Sequence, residues 1–233
     1  MPLTTDSLIN QLDASVLLLS GFSDNQTLLN AFIPDQVNAE PWYGSAGYSM
    51  YVAASGSPAG NKPVIRLYTG NLTPGNFKDY LNYTSLTVLI AAKRTDSAYG
   101  NRWQGLFSMP YNNAKSGITI LSITDNANTG DFSGWGTYGT HTTTQSTSAM
   151  DLNIPVVVGM TVNIESTGTF YTNASATGSF TDTKSQGYYG IGGLESANGF
   201  FVGDIYEALI YNRVLTSTEI SNSTNYLISK WFV

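Results

Sequence analysis

The chain contains no cysteine. That removes disulfides, thiolate-bound zinc and thiol nucleophiles together. Among its 233 residues there is one histidine, His141, so no multi-histidine metal site can form. A Ser-His-Asp triad would have to use that residue, and no Gly-x-Ser-x-Gly turn accompanies it; in its Thr-rich surroundings His141 reads as an exposed loop residue. Charge is scarce as well. Asp, Glu, Lys and Arg make up 11% of the chain, and 16 acidic residues against 10 basic ones leave a net charge of −6. An acidic surface with no Lys/Arg cluster repels phosphate backbones and excludes nucleic acid as a partner. Long apolar runs are missing too. "VLLL" and "PVVVGM" fall far short of the ~20 residues a helical membrane span needs, so no membrane insertion is expected. The opening "MPLTTDSLINQLDAS" carries Asp6 and Asp13 and no basic stretch, unlike a secretory signal peptide. The expectation is synthesis in the cytoplasm, with any route outside a cell being as part of a particle.

What fills the chain is Ser, Thr, Asn and Gly, with 15 Tyr and 10 Phe. Thr, Tyr, Phe and Val suit strands, and Gly and Asn suit turns. Runs of this kind recur between turn clusters at 62–68, 86–94, 105–109, 117–123, 154–163, 168–174, 188–193 and 201–211. Several alternate apolar with small or polar residues, the pattern of a sheet with one face on a core. Many short strands and few helix formers predict an all-β sandwich or barrel. Residues 124–150 read as a long loop or a poorly patterned hairpin, and 20–61 as irregular. One helix is legible in "LTSTEISNSTNYLISKW". Thr216 and Glu219 have the spacing of a capping box, and Ile220, Leu227, Ile228 and Trp231 fall on one stripe. Trp231 is expected in the core.

Asp204 and Glu207 stand three residues apart in "FVGDIYEALIY". Carboxylate pairs perform acid–base chemistry in glycosidases. On a regular strand, however, residues three apart point to opposite faces. The expectation is therefore structural: Glu207 accepts hydrogen bonds from backbone or from Arg213 and fixes the turn into the helix.

The stretch "GDIYEALIYNRVLTSTEISNSTNYLISKW" resembles the C-terminal end of concanavalin A-like, laminin G-like jelly-roll domains. There the last strand reads Gly-x-Ile-x-Glu-x-x-x-Tyr-Asn-Arg, followed by a capped helix ending in Lys-Trp or Lys-Tyr. Gly203, Ile205, Glu207, Tyr211, Asn212, Arg213, Glu219, Lys230 and Trp231 match. "LDAS" (12–15), "NKPVIRL" (61–67) and "LTVLIAAKR" (86–94) resemble earlier strands of the same group. The resemblance implies one domain over residues 1–233, a two-sheet antiparallel jelly-roll sandwich with a C-terminal α-helix.

Relatives of this shape bind sugars or proteins, act as glycosidases, or serve as accessory domains on bacterial and phage surfaces, so shape does not fix activity. Glycosidases on this fold show Glu-x-Asp-x-x-Glu, and no Glu here stands two residues before an Asp. No enzyme activity is expected. No cofactor is expected either, although the family admits calcium. "DNANTGD" (125–131) offers the hard oxygens of Asp125 and Asp131, but its spacing is not that of an EF-hand, since Ala127 stands at the third position. Trp103, Trp135 and Tyr138 lie in Gly/Asn-rich stretches and are the candidate glycan-stacking residues. A Trp so placed is more often a half-buried plug with its indole N–H on backbone. The expected role is a non-catalytic surface module of a virus particle, a capsid decoration or host-attachment protein. Its partners would be capsid or tail proteins and a cell-surface glycan. A bacterial lectin-like domain is the first alternative, and a glycosidase or polysaccharide lyase the second.

Overall fold

The computed structural model describes residues 6–17, 32–33, 36–37, 42–45, 49–52, 62–68, 71–74, 84–95, 104–111, 114–124, 132–136, 150–163, 166–181, 190–192 and 201–233. Its strands in chain order are β1 (Leu8–Asp13), β2 (Phe32–Ile33), β3 (Trp42–Ser45), β4 (Ser49–Val52), β5 (Val64–Leu67), β6 (Asn71–Pro74), β7 (Ser85–Arg94) and β8 (Gln104–Tyr111). They continue as β9 (Ala114–Thr124), β10 (Phe132–Gly136), β11 (Pro155–Asn163), β12 (Thr167–Thr172), β13 (Ser175–Thr181), β14 (Gly190–Ile191) and β15 (Gly203–Tyr211), followed by the helix α1 (Ser217–Trp231). One sheet runs β13-β12-β11-β7-β15-β5-β4, with β1 added beside β15, and the other runs β10-β9-β8-β14-β6-β3-β2. The described pairings are antiparallel throughout, from the outer hairpin of β12 and β13 to the central β15–β7 ladder. The sequence expectation of an all-β, two-sheet sandwich closed by a helix is what the chain forms.

Strand β15 is the spine of the first sheet. All nine of its residues are buried, which alternation alone does not explain. Its two faces are covered by different things. Ala208 and Ile210 stand opposite Ile90 and Val88 of β7 and are fully buried. Tyr211, on the other face, hydrogen-bonds Ser223 of α1 at 3.2 Å. A strand covered on both sides reads as a near-continuous apolar run, and the polar residues it keeps must find partners. Gly203 opens it because nothing larger fits: an added Cβ would lie 2.2 Å from the Lys93 carbonyl oxygen and 2.7 Å from the Phe201 ring.

Two expectations are corrected. Residues 20–61, read as irregular, carry β2, β3 and β4, and Trp42 is fully buried there. These strands span two to four residues, too few for a period to show. Strand β13 was not anticipated, because Ser, Ala, Thr and Gly dominate it. It is held by Phe180, whose ring covers Gly168 of β12 so closely that an added Cβ would come within 2.1 Å of it. Phe180 also packs on Phe170 at 4.6 Å between ring centroids. In 124–150, β10 pairs with β9, so that part is the hairpin rather than the loop.

The helix begins as its sequence requires. Thr216 caps it, its side chain accepting from the Glu219 N–H, while the Glu219 carboxylate accepts from the Thr216 N–H at 2.8 Å. Ile220, Leu227 and Trp231 are buried, and Ile228 packs against the core at its margin. Arg213 forks onto both Glu219 oxygens at 3.0 and 2.6 Å. Arg213, then the Thr216 contacts, hold the Glu219 carboxyl down to about 2.

Thr216→Ala is expected to cost about 1 kcal/mol of stability, measured by denaturant unfolding. Because the Glu219 value is depressed on folding, its contribution is present above the ordinary 4.5 and is lost as pH falls from there to about 2. Glu219→Gln is expected to flatten that acid limb of the melting-temperature profile.

Candidate functional site

The site to be tested is the carboxylate pair of β15. Pairing with β7 runs Asp204↔Lys93 and Ile205↔Ala92, then shifts so that Glu207 stands opposite Ala91. Tyr206 is the extra residue of a β-bulge. Residues directly opposite in an antiparallel ladder share a face, and Lys93 and Ala91, two apart, share one as well. Asp204 and Glu207 therefore lie on the same face of the sheet. The parity expectation that separated them is overturned by the bulge. The bulge sits where β15 changes its outer neighbour: residues 203–205 pair with β5, and from Glu207 onward the neighbour is β1.

Sharing a face does not make them a catalytic pair. Asp204 is fully buried. Arg66 of β5 meets it with two contacts, at 2.6 and 3.0 Å, and Lys93 of β7 reaches it at 3.0 Å. Arg66, Asp204 and Lys93 form one row across three strands. The hydrogen bond to Asp204 outweighs burial and drives the Arg66 guanidinium above its ordinary value.

Glu207 is also fully buried, under α1. Its Oε1 accepts from Gln11 Nε2 at 2.6 Å and from the Tyr226 hydroxyl at 3.2 Å. Its Oε2 accepts from Lys230 Nζ at 2.7 Å and from the Trp231 indole N–H at 2.8 Å. Two donors on each oxygen use the acceptor capacity of a carboxylate in full. Lys230 also reaches Asp13 Oδ2 at 2.6 Å, and Asp13 stands directly opposite Glu207 in the β1–β15 ladder. The remaining oxygen of Asp13 is held by the N–H and hydroxyl of Ser15. Burial, then the Asp13 charge, push the Glu207 carboxyl up, against the pull of Lys230 and Trp231. Burial pulls the Lys230 ammonium down, but Glu207 and Asp13 outweigh it and leave it raised. The expected partner, Arg213, is instead on Glu219 and Asp6. Trp231 is in the core as expected, its ring packed on Tyr206 at 5.7 Å. Lys62 donates to the Lys230 carbonyl at the helix end and lies 5.7 Å over the Trp231 ring.

The arrangement can hold a helix on a sheet. It offers no carboxylate oxygen to a substrate, because both side chains are enclosed and satisfied. Gln11, Asp13, Lys230 and Tyr226 were not foreseen as Glu207 partners; the Lys-Trp pair ending the signature was the available signal. Among the described residues no group of three or more His, Cys, Asp or Glu could hold a metal ion, and no helix is long and apolar enough to cross a membrane. Trp103, Tyr138, His141, Asp125 and Asp131 lie outside the described residues. Trp135 lies on β10, the end strand of the second sheet.

A two-sheet antiparallel sandwich with this last strand and helix defines the class, and sequence comparison agrees. A laminin G-type family model, described as the concanavalin A-like lectin/glucanases superfamily, matches residues 67–221. The chain belongs to that superfamily. No curated protein sequence matches it. Solved structures do. Domain 4 of AbnA, an extracellular arabinanase of Geobacillus stearothermophilus solved in complex with arabinotriose, is 12% identical with a TM-score of 0.63; the match covers 87% of this chain and all of that domain. A mutant of Trypanosoma rangeli sialidase displaying trans-sialidase activity is 15% identical with a TM-score of 0.64, the match covering 99% of this chain and 34% of the sialidase. The botulinum neurotoxin serotype C1 binding domain is 11% identical with a TM-score of 0.55, the match covering 95% of this chain and 52% of that one. At these identities the likeness is one of fold. The chain spans about a third of the sialidase's length.

Lys230→Met leaves Asp13 and Glu207 facing each other without their cation. It is expected to cost about 3–5 kcal/mol, as removal of one member of a buried ion pair does, read from chemical unfolding against wild type. A loss under 1 kcal/mol would show that the cluster does not hold the helix.

Proposed function

We propose that this chain is a non-catalytic surface-recognition domain that binds a neutral glycan. The observation that carries the proposal is the engagement of Asp204 and Glu207. The two carboxylates of the signature strand are both buried and both satisfied by fixed partners, so the strand that suggests a glycosidase is structural. Support for a sugar ligand comes from the arabinanase domain, similar over its whole length and solved with arabinotriose. The toxin binding domain supports a recognition role on the same fold. A net charge of −6 disfavours anionic sugars, which the protein's field repels. Trp103, Trp135 and Tyr138 are the stacking residues we assign, since aromatic faces with nearby Asn and Thr suit a neutral sugar ring. We place the domain on the surface of a virus particle, as a decoration or host-attachment protein; the Thr-, Ser-, Asn- and Gly-rich composition of an exposed β surface supports that setting.

Calorimetry against a panel of neutral oligosaccharides, arabino-oligosaccharides first, tests the ligand. Binding is expected, and Trp103→Ala or Trp135→Ala should weaken it by about tenfold or more, as loss of a central aromatic contact does. Turnover of any such glycan that Glu207→Gln abolishes with the fold intact would overturn the non-catalytic reading. Mass spectrometry of purified particles tests the setting: high copy number is expected, and absence would exclude it.

A further inference from the structure

Asp13 and Glu207 are cross-strand neighbours. Side chains in that relation have their Cβ atoms about 4.5–5.5 Å apart, and like charges there oppose folding. A single ammonium, Lys230, bridges them at 2.6 and 2.7 Å. We propose that Glu207 takes up a proton on mild acidification, which relieves this opposition and tightens the clamp joining β1 to α1 through Lys230.

The groups around Glu207 come from four elements. From β1 the charged group is Asp13, and β7 presents uncharged Ala91. From α1 come Lys230 and Tyr226, and ahead of β5 Lys62 is engaged with the helix end and the Trp231 ring. On β15 itself Tyr211 is hydrogen-bonded to Ser223, and burial pushes its phenol up to about 12. At Glu207, Oε2 faces an ammonium and an indole N–H, neither of which can accept. Oε1 faces the Tyr226 hydroxyl, which donates or accepts by rotating its hydrogen. On Glu207 the proton is therefore placed on Oε1 and donated to the Tyr226 oxygen, which also accepts from Lys230 at 3.2 Å, while Lys230 and Trp231 keep their bonds to Oε2. Protonation removes the like-charge opposition and leaves Asp13 and Lys230 as a matched pair.

The direction follows from linkage. A carboxyl raised on folding binds its proton in the native state first, so stability grows as pH falls through its raised native value towards the ordinary value of 4.5. This window lies above the one in which the Glu219 cap is lost. The test is a carbon-13 NMR titration of the side-chain carboxyls in the full chain. Glu207 is expected to titrate above the ordinary glutamate value in wild type, and Asp13→Asn is expected to move it downward and to shrink the rise in melting temperature that accompanies acidification towards 4.5. A wild-type Glu207 that titrates at or below the ordinary value overturns the proposal without need of a variant. A Glu207 inflection unmoved by Asp13→Asn, or by Asp13→Ser should the first variant not fold, overturns it equally.

Discussion

A buried carboxylate must be paid in donors, and Glu207 draws them from both ends of the chain. An ionised carboxyl taken out of water loses several kcal/mol of hydration unless fixed groups replace the water. Gln11 comes from β1, and Tyr226, Lys230 and Trp231 come from the last turns of α1. Meeting that demand sets the angle at which the helix lies on the sheet and seats the Trp231 ring against Tyr206. It also fixes the register of β1 through Lys230 and Asp13. The apolar stripe of α1 supplies the burial, but a stripe can slide or rotate by a few ångströms at little cost. A four-donor carboxylate cannot, so the polar cluster specifies what the hydrophobic contacts only favour.

The bulge at Tyr206 follows from the same demand. One strand serves two neighbours in turn, β5 and then β1. The extra residue turns Glu207 to the helix face without moving Asp204 from its row with Arg66 and Lys93. Each carboxylate thus has its own cations. That separation by partner, rather than by face, keeps the two from acting as an acid–base couple.

The sequence revealed what depends on neighbours within a few residues and misled where distant segments decide. The capping box of Thr216 and Glu219 was legible because three residues complete it. The long strands β7, β11 and β15 were legible because nine or ten residues show their character. Strands of two to four residues, such as β2 to β4, carry no period of their own and exist through pairing. The strand parity of Asp204 and Glu207 failed because a bulge is set by register with β7, about 110 residues away in sequence, where no local signal operates. Arg213 was assigned to Glu207 for its proximity, but Glu219 is as near and lies at the helix start, where Arg213 also steadies the cap. The aromatic residues assigned to glycan stacking had no local signature to place them, since their Gly- and Asn-rich stretches carry no strand or helix period.

Strand β1 has a consequence in time. Its Gln11 meets Glu207 across 196 positions, and its described ladder is with β15 alone. A ribosome makes Gln11 196 residues before Glu207, so while the intervening strands are made β1 lacks its described partner. Assembly from one end is closed to this topology. The central strand of the first sheet follows that sheet's other described strands in the chain, and the sheet can join its halves only once it is made. Pairing over such distances carries a loop-closure entropy that a local hairpin does not, and here it falls on β15, which joins β7 on one side to β5 and β1 on the other.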